Sequence, residues 1–164
     1  MLHTQTVTAG TLDLIHRLMK DEQFNAFNLV GGTALALQLG HRISIDIDLF
    51  SKKGFDSTAM REHLEKNYDA ITIRAGNNTM AVEIDGIRTD IISHQYPDVK
   101  PPVTLEGIRM ASLEDIAAMK FNVITREPER LKDYVDVYYL LEIKSLKEMT
   151  AAYMAKYPNV IPEM

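Results

Sequence analysis

Cysteine is absent from the 164 residues, which excludes both a disulfide framework and a thiolate metal site. No hydrophobic run approaches the roughly 20 apolar residues that a membrane helix needs. The opening MLHTQTVTAG has no basic segment leading into an apolar one, so no secretory leader is expected and the expected location is cytoplasmic. Positive charge is not in excess: 18 Lys and Arg face 23 Asp and Glu, a formal charge of -5. A protein coated in basic residues is thereby excluded, and a nucleic-acid partner needs a local basic patch. There is no internal repeat and no low-complexity segment.

What is present is 46% hydrophobic and 25% charged, the composition of a globular chain. One domain over 1–164 is expected, with a sheet core at about 8–95 and a helical part at about 112–157. Leu12, Ile15, Leu18 and Met19 have helical spacing within 11–20. Residues 27–30 form a short strand candidate that runs into Gly31-Gly32. TALALQL (33–39) favours a short buried helix ended by Gly40. Residues 42–50 alternate, with Ile43, Ile45, Ile47 and Leu49 on one face and Arg42, Ser44, Asp46 and Asp48 on the other, the period of a strand. A surface helix over 57–67 precedes strands at 70–74, 80–84 and 87–93. Their turns are Asn77-Asn78 and Asp85-Gly86, the second a strong hairpin signal. A loop with three prolines spans 96–102. Helices are expected from Ser112, a candidate N-cap, to about 125, and then at about 129–141 and 145–157.

Two features carry chemistry. Glycines between a strand and a helix let backbone approach closely, and the free N–H groups of the helix attract phosphate. The same pair also suits a tight turn with no ligand. Asp46 and Asp48 are two apart on one strand face, with Cα atoms about 6.6 Å apart. Such carboxylates can converge on divalent cations in the arrangement used for phosphoryl and nucleotidyl transfer, and oxygen-only ligands suit Mg2+ or Mn2+. The alternative is a solvated polar face, although aspartate is a poor strand residue. Lys120 falls on the apolar stripe of Leu113, Ile116, Ala117 and Ile124. Its stem either packs while its head reaches water, or its ammonium serves an acid cluster or a triphosphate. Lys132 and Asp136 can form an ordinary i,i+4 pair. Arg42 can contact phosphate or pair with Asp48. His41 is read as turn surface, and Tyr134, Tyr138 and Tyr139 as core.

The segment GGTALALQLGHRISIDIDLFS resembles the defining motif of the nucleotidyltransferase fold shared with DNA polymerase beta. Its Arg42-x-Ser44-x-Asp46-x-Asp48-Leu49-Phe50 spelling is most similar to the AbiEii/AbiGii-type nucleotidyltransferases, known as toxins of bacterial abortive-infection and type IV toxin–antitoxin systems. The similarity continues through SLEDIAAMKFNVITREPERLKDYVDVYYL. It implies an α+β (mixed α/β) fold, a small mixed twisted sheet flanked by helices with a C-terminal helical segment. It also implies transfer of a nucleotide from an NTP to a hydroxyl on RNA (tRNA) or protein, a cognate antitoxin as partner, and no membrane.

By the same resemblance, Asp46, Asp48 and a third acid, Asp90, ligate Mg2+ or Mn2+ and form the catalytic set together with Lys120. Glu83 and Asp85 are rivals for the third acid. Gly31, Gly32, Thr33, Arg42, Ser44, Lys120, Arg126, Lys132 and Asp133 are the expected nucleotide contacts. The alternative function is a non-catalytic nucleotide- or partner-binding module on the same fold. The better-known toxins carry a longer helical C-terminal half, and that difference favours the module. A metal-dependent nuclease ranks last, because it does not require the glycine turn.

Overall fold

Thr8 opens the first helix, its hydroxyl accepting from the Thr11 N–H at 3.1 Å, and α1 (Ala9–Lys20) buries Leu14, Ile15, Leu18 and Met19. The coordinates are a computed structural model that describes residues 1–160. Residues 161–164, the end of the expected domain, lie outside them. After α1 come β1 (Phe27–Val30), α2 (Gly31–Leu39), β2 (Ile47–Ser51), α3 (Ser57–Tyr68), β3 (Ile71–Gly76), β4 (Thr79–Ile84) and β5 (Ile87–Ser93). Then follow β6 (Val103–Leu105), β7 (Ile108–Met110), α4 (Leu113–Arg126), α5 (Leu131–Ile143) and α6 (Leu146–Lys156).

The seven strands form one mixed sheet in the order β3-β4-β5-β2-β1-β7-β6. β2 runs parallel to β5 and antiparallel to β1. Strand alternation gives the sheet two different faces. Leu29, Ile47, Leu49, Ile91, Met80 and Val82 point to one of them and are fully buried in a core shared with Leu14 and Leu18 of α1 and Met60 and Leu64 of α3. Burial of each such side chain contributes about 1.5–3 kcal/mol. Asp48 and Asp90 point to the other face, toward α4 and α5.

Several expectations change. The strand expected at 42–50 begins only at Ile47. Val30, the last residue of β1, pairs with Asp48, and there the chain turns into α2, so nothing remains for residues 42–46 to pair with on that side. Ile43 and Ile45 are accordingly 63% and 57% exposed. The β6–β7 hairpin, turning at Glu106-Gly107 with both φ angles positive, escapes pattern reading because three-residue strands are too short to show a period. Asp85-Gly86 does turn a hairpin, with φ of 52° and 77°.

Tyr134, Tyr138 and Tyr139 are exposed, contrary to the core assignment. α5 turns Asp133, Asp136, Val137 and Leu140 inward at i, i+3, i+4 and i+7, which sends the tyrosines outward.

Candidate active site

β1 passes into α2 without a side-chain cap, since Val30 at the N-cap position has no oxygen to offer. The first-turn N–H groups of α2 therefore remain available at its positive end. Gly31 sits at φ +70°, and a Cβ there would lie 2.6 Å from Asp48 Oδ2. Glycine at this position both permits the left-handed backbone and makes room for the carboxylate. Gly31→Ala is expected to cost about 1–2 kcal/mol from the backbone alone. It should also displace Asp48, which a lowered melting midpoint together with weakened nucleotide binding will report.

A row of side chains crosses the sheet through the β3-β4-β5-β2-β1 register: Arg74, Ala81, Asp90, Asp48 and Val30. Asp90 is thus the strand neighbour of Asp48, while Glu83 is exposed and Asp85 sits in the hairpin turn, paired with Arg17 at 3.2 Å. Burial pushes the Asp48 carboxyl up to about 6, and the charges of Asp90 and Asp46 add to the rise, against the opposing pull of Lys120 and Arg130. Asp90 accepts from Arg88 Nε at 3.0 Å and from Arg88 Nη2 at 3.2 Å, with Arg74 Nη2 at 3.7 Å.

Asp46 lies in the loop between α2 and β2. Thr33 donates its hydroxyl to the Asp46 carbonyl, and Ser44 Oγ bonds Thr33 Oγ1 at 2.8 Å. Both hydroxyls are thereby occupied in fixing the loop that presents Asp46.

Helices α4 and α5 supply a second cluster. Lys120 Nζ stands 2.5 Å from Asp133 Oδ1 and 2.7 Å from Asp136 Oδ2. Arg42 grips Asp136 with Nε at 2.7 Å and Nη2 at 2.9 Å, and His41 Nε2 stands 2.6 Å from Asp136 Oδ1. Burial alone raises the Asp136 carboxyl, but the Arg42 hydrogen bonds, the Lys120 charge and the His41 bond outweigh it and hold the group down at about 2. Asp136 is fully buried, and so is the side chain of His41.

This corrects three readings. His41 is a buried partner and not turn surface. Arg42 pairs with Asp136 and not with Asp48. Asp136 serves Lys120 and leaves Lys132 exposed beside the cavity. Sequence patterns cannot reveal the His41–Asp136 contact, whose partners are 95 residues apart.

Between the acid-bearing sheet face and helices α4 and α5 lies a cavity of 730 Å³. Gly31, Gly32, Asp46, Asp48 and Asp90 line it together with Lys120, Asp133 and six further cationic or polar residues, among them Arg74, Arg88 and Arg130. Arg42, Ser44 and Lys132 also reach it, while two expected contacts do not: Arg126, at the end of α4, and Thr33, which is buried with its hydroxyl held by Ser44 and the Asp46 carbonyl. Six Lys and Arg face four Asp around the cavity, so its local balance is positive in a chain of net charge -5. Arg74, Arg88 and Arg130 are the cationic residues that the expected contacts leave out. Arg74 meets Asp90 only through cross-strand register and Arg130 reaches the cavity through the placing of α5, whereas Arg88, two before Asp90 on one strand, follows a period that could have shown it.

Among the described residues, no three acidic or histidine side chains already stand as a coordination set for one ion. The donors nonetheless suit a hard divalent cation. They are carboxylate oxygens only, and Asp48 is desolvated and pressed by two like charges.

A glycine-opened helix over neighbouring acid-bearing strands, in a mixed sheet, defines a nucleotidyltransferase. The model of the family described as nucleotidyl transferase AbiEii toxin, type IV TA system, matches residues 13–163, and the chain belongs to that family. The uncharacterised protein aq_aa25 of Aquifex aeolicus (strain VF5) is 32% identical over 142 residues, 83% of this chain and 68% of that protein. In fold, the chain is similar to the antibiotic-resistance factor ANT(2'')-Ia, with a TM-score of 0.68 at 19% identity, over 94% of this chain and 92% of the other. It is also similar to the Megavirus polyadenylate synthase, with a TM-score of 0.57 at 18% identity, over 82% of this chain and 32% of the other. No helix of the described residues is long and apolar enough to cross a membrane.

Proposed function

We propose that the cavity transfers a nucleoside monophosphate from an NTP to a hydroxyl on RNA (tRNA) or protein, with Mg2+ or Mn2+. In this reading the chain is the toxin-like member of a cytoplasmic toxin–antitoxin or abortive-infection pair. The observation that carries it is the register pairing of Asp48 with Asp90 on the face below Gly31 and the open end of α2.

The triphosphate lies against the N–H groups of Gly31 and Gly32, where the helix dipole favours negative charge. Asp46, Asp48 and Asp90 would hold the divalent cation, which when bound polarises the phosphates and offsets the charge that builds in transfer. Asp90 receives the proton of the acceptor hydroxyl as that oxygen attacks the α-phosphorus. The bond from the α-phosphorus to the bridging oxygen breaks, and pyrophosphate leaves toward Lys132 and Arg130. Asp133 and Asp136 keep the Lys120 ammonium in place. From there its charge reaches Asp48. A smaller hollow of 230 Å³ adjoins the cavity at Phe50 and His94.

Calorimetry with ATP, GTP, CTP and UTP, with and without Mg2+, tests the reading. Binding that requires the ion supports the enzyme. Nucleotide binding without transfer of label to cellular RNA or protein supports the non-catalytic module.

A further inference from the structure

Arg88 and Asp90 are two apart on β5 and share a sheet face, so the guanidinium folds back onto the carboxylate and meets both of its oxygens, at 3.0 and 3.2 Å. Arg74 reaches the same carboxylate from β3, across Ala81, whose methyl side chain leaves the path open. Among the described residues, neither arginine has another side-chain hydrogen bond or acid partner. Their side chains are 45% and 62% exposed. Arg42 is 18% exposed and pinned by both oxygens of buried Asp136. Arg130, the fourth arginine of the cavity, is paired with Asp133 at 2.8 Å and with Glu127 at 3.4 Å. Arg74 and Arg88 are therefore the two cavity arginines whose acid partner is Asp90 alone.

We propose that Arg88, assisted by Arg74, is an exchangeable counter-ion that occupies Asp90 in the ligand-free protein and passes its guanidinium to the triphosphate when a divalent cation takes the carboxylate. This positioning role rests on the reading of the cavity as the nucleotidyl-transfer site. A planar fork that fits a carboxylate bidentately fits a phosphate equally well, so one group serves both states. Arg88 is 45% exposed above an Asp90 that is only 15% exposed, so the guanidinium can swing away through solvent while the carboxylate stays in place, which keeps the exchange accessible. Because Arg88 competes with the cation and assists the triphosphate, each ligand favours the other, and that coupling is reciprocal. The device also explains why the three acids do not yet form a coordination set: the oxygens of Asp90 are turned to the arginines.

The test is uptake of Mn2+ alone by the full chain, read from the electron paramagnetic resonance of the free ion, followed by binding of inorganic tripolyphosphate in the presence of Mn2+. Arg88→Gln is expected to tighten Mn2+ by about fivefold or more and to weaken tripolyphosphate by a similar factor. Arg126→Gln removes one positive charge at the end of α4, outside the cavity, frees no oxygen of Asp90, and should leave Mn2+ affinity within about twofold. Equal tightening in the two variants, or none in Arg88→Gln, overturns the exchange.

Asp48→Asn separates this from failure of the underlying reading. If that variant loses Mn2+ uptake while Arg88→Gln gains nothing, the site stands and the exchange alone falls. If it binds Mn2+ as the wild type does, the cation lies elsewhere and both fall.

Discussion

Asp48→Asn should cut nucleotide transfer by about a thousandfold or more, while making the metal-free protein more stable. The first effect follows from the proposed role of Asp48 in holding an ion that would supply several kcal/mol of charge stabilisation, each 1.36 kcal/mol being about tenfold in rate. The second follows from burial. Asp48 titrates at about 6 in the folded chain, against an ordinary carboxylate value near 3.8.

A raised acid pKa means that the folded state holds the proton longer than the unfolded one. Stability is therefore lost as pH rises from about 4 to about 6, and the full cost, about 3 kcal/mol, is present above that window. Asparagine removes it. In EDTA at pH 8 the variant should melt about 5 °C or more above the wild type, and the advantage should vanish near pH 4. A variant that still transfers label at the wild-type rate sinks the assignment of Asp48. One that melts lower at pH 8 sinks the claim that its charge is a burden without the ion.

Asp136→Ala should be the most damaging single change to the fold. Its carboxylate has no exposed surface and faces His41, Arg42 and Lys120. Deleting it leaves Arg42 without its acid partner and Lys120 with one acid of two, and breaking a buried pair in this way costs about 3–5 kcal/mol. For a chain of this size that is about 10 °C in melting midpoint. Asp136→Asn keeps the shape and some hydrogen bonds, and should lose less. Because Asp136 titrates at about 2, its contribution is present above about 4 and disappears as pH falls through 2. The variant's deficit should shrink over the same interval. A midpoint unchanged at pH 7 shows that the cluster is not holding α5 to the loop before β2.

That Asp46, Asp48 and Asp90 belong together at one cavity was legible because Asp46-Ile47-Asp48 is a contiguous pattern, and because Asp90 interrupts an otherwise strand-forming run. Gly31-Gly32 was legible for a related reason, since few positions other than a turn tolerate two glycines before a helix former. The alternation of residues 42–50 misled, because periodicity reports what a segment could do if a partner strand lay beside it. Lys120 on an apolar stripe raised the right question, but whether its ammonium meets water or acid depended on α5, which no local pattern positions.

The sequence by itself determined the helices and strands whose periods run long enough to read. It also determined the carboxylate pair at 46 and 48 and the absence of thiol chemistry, because those follow from residue type and short spacing. The tertiary structure decided the pairings: Asp90 beside Asp48, Arg74 on Asp90, and Arg42 clasping an acid 94 residues away. Those contacts are fixed by strand register and helix packing, and a shift of one residue in register turns a side chain to the opposite face of the sheet.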